Sequence, residues 1–81
     1  MTPEHAQKIA PLLTEKQRSD ALDLADAIAA FDQRVPCRIR TAAYSGLILR
    51  VAVVAGYRGE ALGQFTQLVT AALRGIVIHT L

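Results

Sequence analysis

Val35-Pro36-Cys37-Arg38-Ile39-Arg40-Thr41-Ala42-Ala43-Tyr44-Ser45-Gly46-Leu47-Ile48-Leu49-Arg50-Val51-Ala52-Val53-Val54-Ala55 is the stretch whose reading decides the fold. With a period of two, Cys37, Ile39, Thr41 and Ala43 alternate with Arg38, Arg40 and Ala42. After Tyr44-Ser45-Gly46, Leu47, Leu49, Val51 and Val53 alternate with Ile48, Arg50 and Ala52. A three-residue loop with glycine in the left-handed position is a favoured hairpin connection. That register gathers the apolar set on one face and sets Arg38, Arg40 and Arg50 on the other, with Arg40 opposite Arg50. Like charges facing each other across a ladder are destabilising, so a chain that keeps them suggests an anionic partner. As a helix, the same stretch would be apolar nearly all round. Its β-branched content makes the hairpin the preferred reading.

The flanking segments are plainer. Thr2-Pro3-Glu4 is a helix start, and Pro11 stops that helix early. Thr14-Glu15-Lys16-Gln17 has the form of a capping box. Behind it Ala21, Leu24, Ala25, Ile28, Phe31 and Val35 recur at three- and four-residue steps, the signature of an amphipathic helix ended by Pro36. Gly59-Glu60 opens another helix with an inner stripe of Ala61, Leu62, Phe65, Leu68, Val69 and Ala72. Arg74-Gly75 closes it. Ile76 to Thr80 reads as a final strand.

The expected fold is therefore α+β, in the order α-α-β-β-α-β. Two or three helices would cover one face of a small three-stranded antiparallel sheet. The alternative is an all-α four-helix domain. The 81 residues form one expected domain, with 1–13 as a short helical arm and 14–81 as its core.

Charge is unevenly spread. Residues 1–33 carry three cations and six carboxylates, a net −3. Residues 34–81 carry six arginines and Glu60 alone, a net +5. Arginine suits planar pairing with carboxylates or phosphates. The single cysteine, Cys37, excludes an intramolecular disulfide framework and fits a reducing compartment. No apolar leader opens the chain, and the longest apolar run is short and broken by Arg50. A cytoplasmic protein with no membrane span is expected.

Chemistry has little to stand on. His5 and His79 lie far apart in sequence, with no carboxylate or cysteine at metal-ligand spacing. Arg34, Arg38 and Arg40 surround Cys37 and would lower its pKa, but the hairpin points its side chain inward. Gly56-Tyr57-Arg58-Gly59 leads into a helix start and offers amides to an anion. It lacks P-loop and dinucleotide spacing, so a plain turn is the simpler reading. No catalytic group, cofactor or metal is expected.

The expected function is a small non-enzymatic interaction module, a regulator or inhibitor. It would bind a larger partner through a basic, partly apolar face of Arg38, Arg40, Arg50, Ile48 and Val54, with Tyr44 and Arg58 beside it. An acidic protein surface is the favoured partner, and a homodimer is a further expectation. Exposed stacking aromatics are scarce, which counts against nucleic acid. The alternative is a nucleic-acid-binding regulator, through that arginine face or a helix-turn-helix around residues 48–70. Ala52, Gly56, Leu62 and Phe65 fit the spacing of such a motif.

Overall fold

The computed structural model describes residues 3–34 and 41–76. Among them there are four α-helices and no strand: α1 (Pro3–Ile9), α2 (Glu15–Arg34), α3 (Thr41–Val54) and α4 (Gly59–Leu73). A 3-10 turn, Ala10–Leu12, links α1 to the α2 start. The α+β expectation is overturned, and the all-α four-helix alternative is the observed class. The stretch read as a hairpin is helical from Thr41 onward, and Tyr44-Ser45-Gly46 lies inside α3 rather than in a loop. Ile76 stands just beyond α4 outside any strand, and the rest of the expected last strand lies outside the described residues.

Local chemistry sets the helix ends. Thr14 Oγ1 accepts from the Gln17 amide at 3.1 Å, and Gln17 Oε1 accepts from the Thr14 amide at 3.0 Å. This reciprocal box satisfies two amides that the first turn of α2 would otherwise leave unpaired. At the end of α3, the Tyr57 amide donates to Ala52 O and the Gly56 amide to Val53 O, with Gly56 at φ 97°. The end of α4 repeats the device: Ile76 donates to Ala71 O and Gly75 to Ala72 O, with Gly75 at φ 83°. Both are Schellman closures, in which a left-handed glycine lets the chain turn back over its own carbonyls.

α4 is the hub. α1, the 3-10 turn, α2 and α3 all pack on it, whereas α2 and α3 share no extensive packing. Its stripe of Phe65, Leu68 and Val69 is buried, with Leu68 and Val69 fully so. Ala21, Ala25 and Ile28 of α2 meet it in one cluster with Tyr44, Ile48 and Ala52 of α3. Tyr57 stacks on Phe65 at a centroid distance of 4.2 Å, fixing the α3–α4 turn to the core. The N-terminal elements are held from α2: one Arg18 guanidinium nitrogen donates to Leu13 O at 2.6 Å and Ala10 O at 3.1 Å. Ala10 O also accepts the Leu13 amide that closes the 3-10 turn, so the charged donor clamps this junction to α2.

Candidate interaction surface

α3 defines the candidate surface, because its sequence is too apolar for the single face it buries. Tyr44, Ile48 and Ala52, four residues apart, form the stripe against α4 and are 8%, 2% and 0% exposed. A helix advances about 100° per residue, so every other apolar residue of α3 falls off that stripe. Leu47, Val51 and Val54 run along one flank, and Leu49 and Val53 along the other. All five are exposed, Val54 at 89%. Gly46 and Arg50 occupy the crest between the flanks, and both are exposed. A helix apolar all round is normally buried all round; among the described elements only α4 packs extensively on this one.

The expected arginine face is not found among the described residues. It required a sheet, and the described residues hold none. Arg38 and Arg40 lie outside the described residues. Arg50 stands on the α3 crest, while Arg58 is the extended residue at the N-cap of α4, after the turn. Among the described residues no basic patch is assembled. Ile48 points into the core instead of toward a partner. Tyr44 is also turned inward, and its hydroxyl donates to Asp32 Oδ1 at 2.6 Å. That bond, with desolvation and the Asp32 charge, raises the Tyr44 pKa above its ordinary value. Of the seven expected contact residues, Val54, Arg50 and Arg58 are exposed where the structure places them.

Two clefts flank these elements. One, about 500 Å³, lies between the start of α2 and the α3–α4 turn, with Lys16, Asp20, Tyr57 and Arg58 on its walls. Burial and the Asp20 charge raise the Tyr57 pKa. The Asp20 carboxylate accompanies the two cations, so the cleft is mixed in sign. Thr14 and Gln17, also on its wall, already serve the capping box. The other cleft, about 410 Å³, runs between α3 and α4 past Ile48, Leu49, Thr66, Thr70 and Arg74. Thr66 Oγ1 donates to Gly63 O and Thr70 Oγ1 to Thr66 O, so both hydroxyl protons are committed within α4. This makes the α3–α4 cleft the more apolar of the two.

Among the described residues no group of three histidine, cysteine or carboxylate side chains is placed to hold a metal ion. Nor is any helix among them long and apolar enough to cross a membrane. Cys37 and His79 lie outside the described residues. No protein-family model, no curated protein and no solved structure matches the chain.

The two-residue alternation concealed Leu47, Leu49, Val51 and Val53, which it assigned to an inward oil face. The available signal was the excess itself. A 14-residue helix with this composition has more apolar side chains than one neighbour can cover. Phe31 shows the same inversion: expected on the inner stripe of α2, it is 54% exposed.

Proposed function

We propose that this chain is a small non-enzymatic interaction module of the cytosol, working by docking the apolar flanks of α3 on another protein surface. One observation carries the reading: Leu47, Leu49, Val51, Val53 and Val54 are all exposed on a single helix. So much large apolar surface on one exposed helix is characteristic of protein contacts. Arg50 on the crest favours a partner with a carboxylate at the rim, since α3 itself contains no acidic residue. The cytosolic assignment rests on the lone cysteine. A photo-crosslinking side chain at Val54, with Asp26 as a control position on the exposed side of α2, tests the reading in expressing cells. A protein adduct from position 54 and none from position 26 is the expected result. No adduct from 54 would reject it.

A second reading is favoured by connectivity. α3, four linking residues with Gly56 in the left-handed region, and α4 have the order of a helix-turn-helix, over the segment where sequence spacing suggested one. The supposed reading helix then offers Glu60, Gly63 and Gln67 outward, with arginine only at Arg58 and Arg74 beside its ends. Phosphate contact needs cations, and this face is sparse in them. Titrating labelled duplex DNA at low salt separates the readings. Salt-sensitive binding lost in Arg58→Ala would favour nucleic acid, and no binding leaves the protein surface.

A further inference from the structure

We propose that the cleft between α3 and α4 is a binding site for a small amphipathic anion, an alkyl carboxylate of medium chain length. The inference goes beyond the protein-docking reading and stands apart from it, because the cleft borders the Leu49 side of α3 while Val54 lies on the other flank. The first argument is shape. At about 410 Å³ the cleft has the size of a small-ligand site, for which roughly 300–1,000 Å³ is usual. Its α4 wall, from Thr66 to the C-cap Arg74, is about 12 Å long. That suits a single extended chain laid lengthwise.

The second argument is the chemistry of the walls. Ile48 forms the floor, and Leu49 stands beside it, 48% exposed. Thr66 Oγ1 donates to Gly63 O at 2.9 Å and Thr70 Oγ1 to Thr66 O at 2.8 Å, so neither hydroxyl has a proton for a ligand. Gln67 is exposed at the rim. Between the threonines and Leu49 the cleft accommodates an apolar body, whereas a polar one would give up water for few partners.

The third argument is charge. Arg74 is the one charged residue on the cleft wall among the described residues, and it stands at one end. α3 contains no acidic residue, and Glu60 is in the first turn of α4, at the far end of that helix from Arg74. The last carbonyls of α4 already accept backbone amides, so they compete weakly for the guanidinium. An arginine fork pairs with a carboxylate through two parallel hydrogen bonds. An exposed ion pair alone is worth little, so the head fixes the ligand's direction and the tail supplies most of the affinity. The tail then runs from Arg74 over Ile48 and Leu49 toward Thr66.

An amide NMR titration of the full chain with hexanoate, heptanoate, octanoate and octanol, in the millimolar range, tests this. Octanoate should give saturable shifts centred on Leu49, Thr66, Gln67 and Thr70. Affinity should rise about fourfold per added methylene along the carboxylate series. Octanol should bind about 10-fold more weakly than octanoate, because it lacks the charged head. Arg74→Gln should remove that difference and leave octanol binding unchanged. Arg74 is exposed, so the variant's circular dichroism should match wild type. If Arg74→Gln disturbs the closure of α4, the preference of wild type for octanoate over octanol carries the same test. Shifts centred on Leu47, Val51 and Val54 would be adsorption on the open flank and would overturn the proposal. Octanol binding as tightly as octanoate overturns it too, as does a titration without saturation. The crosslink at position 54 decides the protein-docking reading separately, so either reading can fail while the other stands.

Discussion

α3 and α4 are similar in length and apolar content, and the fold treats them in opposite ways. α4 is met by α1, the 3-10 turn, α2 and α3, so Phe65, Leu68, Val69 and Ala71 all find cover. α3 packs extensively only on α4, so three of its residues are buried while five large ones face water. Apolar content alone therefore does not decide what is core. The number of neighbours decides it, and the helix with fewer neighbours than apolar faces is where an interaction surface is to be sought.

The contrast is broken most directly by truncating one residue on each helix. Leu68→Ala removes a fully buried side chain from the hub and should cost about 2–5 kcal/mol. Val54→Ala should change the stability of the dilute, monomeric chain by no more than about 0.5 kcal/mol. Urea denaturation of the two variants measures both. Equal losses would show that α3 is already covered within one chain, and the contrast would fail.

A smaller effect is expected where the two helices join. Gly56 has φ 97° and open space where a Cβ would stand, so Gly56→Ala should cost about 1–2 kcal/mol through backbone conformation alone. Gly46, in the helical interior of α3 and equally open, should behave in reverse. Gly46→Ala should stabilise by about 0.4–1 kcal/mol. Thermal melts of the pair give the sign of each. Destabilisation by Gly46→Ala would mean that its bare backbone is already in contact with something, which would place the α3 interface on the crest rather than on the flank.

The same contrast explains what the residue pattern revealed in advance. The helix-start signals at Thr14-Glu15-Lys16-Gln17 and Gly59-Glu60, and the stop at Arg74-Gly75, were legible because they depend on atoms within one turn. The stripes of α2, up to Ile28, and of α4 were legible because polar residues interrupt them at helical spacing; Phe31 was the exception. α3 was not, because a segment apolar on nearly every side satisfies a period of two as readily as 3.6. Ile48, Val51, Val53 and Val54 then tipped the reading toward strand by a propensity of about 1 kcal/mol at most. Contact with α4 along Tyr44, Ile48 and Ala52 outweighs a preference of that size. The exposed surface was legible only in part: Val54 was expected at a contact, and the apolar excess was there to be read, but which residues face water depends on how few neighbours α3 has in the assembled chain.

The finest probe is the hydrogen bond that ties α2 to the poorly covered helix. The Tyr44 hydroxyl donates to Asp32 and has a raised pKa, chiefly through that bond. The folded state therefore prefers the neutral phenol more strongly than the unfolded chain does. The contribution to stability is complete below the ordinary tyrosine pKa of about 10 and fades as pH climbs through the raised value. Tyr44→Phe lacks both the bond and this pH dependence. Wild type should be the more stable of the two near neutral pH, and its advantage should shrink in alkali as Tyr44 ionises. Paired denaturant titrations at neutral and alkaline pH measure the difference, with Tyr57 titrating in both proteins and cancelling from the comparison. A gap that stays constant would mean that the Tyr44–Asp32 bond does not hold α3 to α2. α3 would then be attached through α4 alone, and its separation from the rest of the bundle would be sharper still.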